Sequence, residues 1–245
     1  MTLRGTEARI FLDGVDLSCV TANLGVEVTV GEYEKVTLCS TAMEYVPGMV
    51  TGGTVTLSGY FQGVMPGEEE AALYAAVGAS NKTVAAIFDY SNLPAVAYCL
   101  QDAGNYNLVH NAPTDGLITM DGSFRSMIGL RRGLLGFYKT TISAVGTSAA
   151  VQIPGTLTTH SGKFFVFVHG IEGTAATPIL FTIQSSANGT SGWASEAAFS
   201  FAAIGADVKD FTTPAGAYFS IATSDLGGAD SYEVSVVFVV NGLTN

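Results

Sequence analysis

Apolar and polar residues alternate with a period of two along much of this chain, the signature of strands with one dry and one wet face. Ile10 and Leu12 alternate with Phe11, Asp13-Gly14 follows as a tight-turn signal, and Val15 and Leu17 resume, so Arg9 to Leu17 predicts a β-hairpin. Val26-Glu27-Val28-Thr29-Val30 sets three valines on one face against Glu27 and Thr29 on the other, and Thr54-Val55-Thr56-Leu57-Ser58 repeats the pattern. Between them the alternation lapses from Cys39 to Gly53, where Pro47-Gly48 and Gly52-Gly53 predict a loop. Tyr45, Val46, Met49 and Val50 make that loop too apolar for a solvated one, which points to docking on something.

One helix is expected, from Pro66 to Val77. Pro66 and Gly67 open it, Glu68, Glu69 and Glu70 suit its positive N-terminal end, and Gly78 follows as a C-cap. Leu73, Ala76 and Val77 form a narrow apolar stripe that can cover a sheet. Thr83 to Tyr90, Ala95 to Gln101 and Leu117 to Ile128 read as further strands, with a polar loop from Asp102 to Thr114. Beyond about Tyr138 short strands recur between small polar residues: 140 to 145, 149 to 153, 163 to 170, 179 to 185, 194 to 201, 218 to 223 and 232 to 240. That spacing predicts a β-sandwich. The fold class expected is mainly β with one helix, divided near Gly136 to Thr140 into residues 1–137 and 138–245.

Composition sharpens the picture. Of 245 residues only 13% are charged while 48% are apolar, and glycine reaches 29. The charge content is about half that of ordinary soluble domains, so part of the exterior is expected to lie against other protein. The net charge of −11 arises from both parts, with 7 Lys/Arg against 14 Asp/Glu through Phe137 and 3 against 7 thereafter. Such a chain repels phosphate, which excludes stable nucleic-acid binding but suits a surface that DNA slides past. Arg125, Arg131 and Arg132 are its densest positive spot, a candidate for pairing with an acidic surface of another subunit.

Cys19, Cys39 and Cys99 have no metal or CxxC spacing and are expected to be reduced, half-buried strand residues. The start MTLRGTEARIF lacks the apolar core of a signal peptide, and the apolar runs are too short to span a bilayer, so synthesis in a cytosol and no membrane partner are expected. His110, His160 and His169 have no partner at metal-ligand spacing, and the hydrolase, nucleotide and zinc motifs are missing. Asp207 and Asp210 border Thr-Thr-Pro and predict a solvated turn. No catalysis, cofactor or metal is expected. Trp193, Tyr218 and Tyr232 offer an alternative reading, a virion surface or adhesion module whose C-terminal sandwich stacks aromatic rings on sugars.

The succession Ile10-Phe11-Leu12-Asp13-Gly14-Val15-Asp16-Leu17-Ser18, then Glu44-Tyr45-Val46-Pro47-Gly48, then Gly53 through Phe61 resembles the major tail tube proteins of siphophages, the long, non-contractile-tailed bacteriophages. Order and spacing match over roughly the first 65 residues. Thr37-Leu38-Cys39-Ser40-Thr41 departs from the Thr/Phe/Gly-rich step of many relatives, as does Gln62 from a frequent acidic residue. The resemblance implies a tail-tube-like β-sandwich or split barrel followed by the second sandwich. It implies hexameric rings stacked into a tube that conducts DNA in transit without sequence-specific binding, and location in the virion tail after assembly in the host cytoplasm. Implied partners are other copies of the chain and further tail proteins: tape measure, tail terminator, and baseplate or tip. The 40–53 loop, with Tyr45, Val46, Pro47, Met49 and Val50, would then reach the neighbouring ring, and Glu27, Thr29, Thr54, Thr56 and Ser58 would face the lumen.

Overall fold

The computed structural model describes residues 7–35, 44–61, 69–153, 161–212 and 214–240. The first half supplies β1 (Ala8–Leu12), β2 (Val15–Asp16), β3 (Thr21–Lys35), β4 (Glu44–Tyr60), helix α1 (Glu69–Ala75), β5 (Lys82–Phe88), β6 (Ala95–Asn111) and β7 (Thr119–Ser126). After β8 (Leu130–Ile142) come β9 (Gly146–Thr147), β10 (Val151–Gln152), β11 (Gly162–Gly173), β12 (Ile179–Ser186), β13 (Ala194–Phe201), β14 (Gly205–Phe211), β15 (Tyr218–Asp225) and β16 (Ala229–Val240). The described residues are mainly β, with one helix and antiparallel sheets.

The large sheet runs β14-β11-β16-β8-β6-β5-β1-β2, and from β6 it branches through β7 and β4 to β3. The smaller sheet, β10-β15-β12-β13 with β9 beside β15, forms a second layer. Phe181, Ile183, Phe199, Phe219 and Ile221 of that layer meet Phe164, Val166, Val234, Val236 and Phe238 of the large sheet in one core. The opposite faces of β11 and β16 are apolar too: Phe165, Phe167, Val237 and Val239 pack with Phe11, Ile87, Ala97, Cys99 and Leu135. A strand buried on both faces needs an unbroken apolar run, which is why Phe164 to Val168 reads Phe-Phe-Val-Phe-Val, every residue fully buried.

This shared core contributes to the thinning of charge after Tyr138, because β11 and β16 are covered on two sides. The expected boundary at Gly136 to Thr140 falls inside β8, which pairs with β6 on one side and β16 on the other. The sheet curls until its two ends meet. Asp13-Gly14 forms the expected hairpin turn, both residues at positive φ, and Gly14 lies so close to β11 that a Cβ there would sit 2.3 Å from the Val168 carbonyl oxygen.

Several local expectations are corrected. Most of the segment 102–114 is strand rather than loop, because β6 continues to Asn111 as the partner of β7. Its polar residues face water, and the buried one, Asn105, is satisfied: Nδ2 donates to the Leu73 carbonyl at 3.4 Å and Oδ1 accepts from the amides of Asn107 and Ser123, each at 3.2 Å. Asp207 and Asp210 lie not in a turn but in edge strand β14, where Lys163 pairs with Asp210 at 2.7 Å. The helix is shorter than expected: Val77 leaves it to bridge Asn105, while Gly78 takes the positive φ of a C-cap, and residues 66–68 lie outside the described residues. Cys99 is fully buried in β6, burial pushing its thiol well above the ordinary value, whereas Cys19 is exposed in a turn before β3. Cys39 and His160 lie outside the described residues.

Candidate assembly face and strand ribbon

Alternation builds the candidate site. In the register Asn23–Ser58, Gly25–Thr56 and Glu27–Thr54, continued by Thr54–Arg125, Thr56–Ser123 and Ser58–Asp121, the short polar side chains of β3, β4 and β7 fall on one face. Asn107 of β6 extends it opposite Ser123. Asn23 donates to Ser58 Oγ at 3.2 Å, and a shallow hollow of about 450 Å³ lies over Asn23, Thr56, Ser58, Asn107, Asp121 and Ser123. The other face supplies Leu24, Val26, Val55, Leu57, Met120 and Phe124 to a core closed by Leu73 of α1. Glu27, Thr54, Thr56 and Ser58 thus share the wet face, with Glu27 and Thr56 the more exposed. Thr29 follows in β3; the side chains of residues 29–35 and 44–51 lie outside the described part.

The expected loop is corrected here. Residues 44–53 continue β4, and the register runs out to Glu34–Tyr45 and Lys35–Glu44, so Tyr45, Val46, Pro47, Met49 and Val50 sit in a two-stranded ribbon; residues 40–43 lie outside the described residues. Pro-Gly and Gly-Gly break a central strand, but a ribbon strand has a free side where a missing donor costs little. Among the described residues, β4 beyond Thr54 pairs only with β3, and β3 pairs with nothing else along its 15 residues. Val28 shows what this means: it follows Val26 on the core-facing side, yet is 52% exposed because the ribbon has outrun the core.

The three arginines do not form one spot. Arg125 is exposed on the polar face of β7, while Arg131 and Arg132, adjacent on β8, point to opposite faces of their sheet. Nor do the three aromatics make a platform. Tyr232 is buried against Phe181, its hydroxyl bonded to Thr223 at 2.8 Å, and burial pushes its pKa up to about 12. Tyr218 lies against Gly189, where a Cβ would come within 2.7 Å of its ring.

A buried polar cluster, which the sequence did not disclose, holds the curled sheet shut. His169 Nδ1 lies 2.7 Å from the Gly14 carbonyl oxygen. Since a carbonyl only accepts, Nδ1 carries the proton and Nε2 accepts from Ser235 Oγ at 2.9 Å, while Ser235 accepts from the Lys139 amide at 2.8 Å. Burial lowers the His169 pKa to about 4, further than its bond to Gly14 raises it. Beside it Lys139 pairs with Asp16 at 2.7 Å; burial raises the Asp16 pKa, but Lys139 and Ser18 together bring it below the usual carboxylate value. A groove of about 770 Å³ next to this cluster is lined by Arg9, Asp16, Cys19, Tyr138 and Lys139. Arg9 stacks 3.9 Å over the Tyr90 ring and donates to Tyr138 at 3.1 Å, and Asp16 and Lys139 hold each other, so these charges serve the fold. Among the described residues no three His, Cys, Asp or Glu side chains are placed to hold a metal ion, and no helix is long and apolar enough to cross a membrane.

No protein-family model and no curated protein matches the sequence. Among solved structures, the anti-feeding prophage cap, a tube terminating cap, is similar at 12% identity and a TM-score of 0.41, covering 54% of this chain and 91% of that one. The sheath/tube terminator of an extracellular contractile injection system is similar at 10% identity and 0.40, over 51% and 93%. The Dit protein of phage SPP1, described as a hub adsorption apparatus, is similar at 10% identity and 0.38, over 94% and 97%. Likeness at this level carries no argument about function.

Proposed function

We propose that this chain is a structural tail protein of a bacteriophage and, within that class, a tail tube subunit whose hexameric rings stack to conduct DNA. The carrying observation is the β3–β4 ribbon, with the outer edge of β3 unpaired among the described residues. A free two-stranded ribbon is marginal in water, and an open edge that long invites uncontrolled pairing. Neighbouring copies that pair with it in a closed ring remove both problems.

The same arrangement gives the polar face its role. Among the described residues its exposed charges are Glu27, Asp121 and Arg125, two acidic against one basic, so Glu27, Thr29, Thr54, Thr56 and Ser58 would line a mildly acidic lumen that offers a polyanion no fixed cations in excess. The ribbon segment with Tyr45, Val46, Pro47, Met49 and Val50 would contact the adjoining ring. Such a subunit needs no catalysis and would meet the tape measure, terminator and tip proteins at the tube's bore and ends. The motif succession of the first 65 residues and the low charge support the same reading. Electron microscopy of the purified protein tests it: rings or tubes are expected on concentration, and a strictly monomeric species at every concentration, with tail partners present as well, would overturn it.

A further inference from the structure

The polar wall β3-β4-β7-β6 ends in two strand edges, and the hydrogen-bond pattern fixes which backbone groups each one presents. Phe61 donates its amide to the Ile118 carbonyl at 3.0 Å. Bonding in an antiparallel ladder alternates residue by residue, so in the continuing register Leu57–Gly122 and Val55–Phe124 the backbone groups of Leu57 and Val55 point to β7. Leu24 and Val26, which lie opposite them on β3, are then not bonded by β4 and turn their amides and carbonyls out of the edge. On the far side Gly122 and Met120 bond to β4, so Leu108 and His110, opposite them on β6, also face outward. Asn105, just before the bulge in β6, shows that edge in use: its amide donates to the Ala76 carbonyl at 2.8 Å, and its carbonyl accepts from the Gly78 amide at 3.3 Å. Past Asn105 no strand among the described residues pairs with that side of β6.

The two edges match in sense and in face. β3 and β6 are three antiparallel steps apart, so they run in opposite directions, and two copies side by side and pointing the same way bring them together as an antiparallel pair. The outward-facing residues also belong to the same face on both strands. Leu24, Val26 and Leu108 pack on the core, and His110 lies on that side against Phe61 and Glu70 of α1. Asn23, Gly25 and Glu27 of β3 and Asn107 and Val109 of β6 share the wet face. Directly opposed residues put their side chains on one face, so the joined sheet keeps its core side and its polar side unbroken; the opposite parity on either edge would have set core against lumen. The core is also unfinished at both edges. The groove of about 770 Å³ runs along Ala22, Leu24 and Phe88 beside β3, while Val77 (48%) and Tyr106 (60%) are exposed beside β6. We infer that β3 of one copy pairs antiparallel with β6 of the next, through the backbone groups of Leu24 and Val26 on one and of Leu108 and His110 on the other. The contact uses a different edge on each partner and therefore continues around a closed ring. Pairing of β3 with β3 would stop at two copies and leave β6 open. The inference rests on the tube reading and adds which edges join and in which sense.

The test removes one outward amide from each edge of the full chain, with Val26→Pro on β3 and His110→Pro on β6. Proline is tolerated where an edge amide faces outward, and circular dichroism and melting check that the fold is kept. Sedimentation then follows assembly. With wild type forming rings, each variant alone should remain monomeric. Their equimolar mixture should give one-to-one dimers that grow no further, since the pair holds one intact edge of each kind. Rings from either variant, dimers of His110→Pro alone, or a mixture that stays monomeric would overturn the pairing. Hydrogen exchange in wild-type assemblies reads the same contact without a substitution: the amides of Leu24 and Val26 should become protected together with those of Leu108 and His110. Protection of β3 while Leu108 and His110 exchange as they do in dispersed subunits would overturn the pairing and leave the tube reading intact. Failure of wild type itself to assemble would overturn the tube reading beneath it.

Discussion

His169 is the sharpest test of how the curled sheet is held, because its neutrality is imposed by position. The ring is enclosed by Phe11 at 4.3 Å, the Gly14 carbonyl and Ser235, and burial lowers its pKa from 6.5 to about 4. In the unfolded chain the ring takes up a proton as pH falls through 6.5; in the folded chain it does so only near 4. The contribution of the neutral ring is therefore fully present above pH 6.5 and lost progressively between 6.5 and about 4. At about 1.4 kcal/mol per pKa unit the full loss is about 3 kcal/mol, most of it complete by pH 4.5. Asp16, whose pKa is lowered, gives up its contribution only at still lower pH, as its carboxylate is protonated. Denaturant unfolding of wild type and of His169→Gln across this range isolates the effect, since titrations common to both cancel. The wild-type advantage should shrink by roughly 2–3 kcal/mol on going from neutral pH to 4.5. A difference that stays constant, or a His169 resonance titrating near 6.5 by NMR, would refute the buried, neutral tautomer and with it the account of the seam.

Two further outcomes follow from backbone and core geometry. Gly14→Ala meets both a positive φ and the Val168 carbonyl oxygen, whereas Gly78→Ala has the positive φ but nothing within 4 Å. The first should cost clearly more than the roughly 1–2 kcal/mol of the second, measured by urea unfolding, and equal costs would contradict the docked turn. Tyr232→Phe strands the Thr223 hydroxyl in the core and should cost about 1–3 kcal/mol, while adding Thr223→Val should recover most of it. An ultraviolet titration of the tyrosines should show one group ionising near pH 12 that is missing from Tyr232→Phe.

The strands and the Asp13-Gly14 hairpin were legible because period-two alternation and a turn dipeptide are local signals. The same signals marked Glu27, Thr54, Thr56 and Ser58 as one face, and the register puts them there. What failed was punctuation. Pro47-Gly48 and Gly52-Gly53 signal a break where a ribbon tolerates them, and the polar run around Asn105 hid a strand whose one buried polar residue is satisfied by the helix end. Asp207 and Asp210 read as a turn because edge strands carry charge as turns do. The His169 cluster left no local trace: Gly14, Lys139, His169 and Ser235 are up to 221 residues apart and converge only when the sheet curls.

Hydrogen exchange along β3 bears most directly on the claim that this sheet is completed by other copies. Amides of Thr21 to Lys35 on the outer edge should exchange rapidly in dispersed subunits at low concentration and become strongly protected in assembled particles. Equal and rapid exchange in both states would show that nothing pairs with that edge.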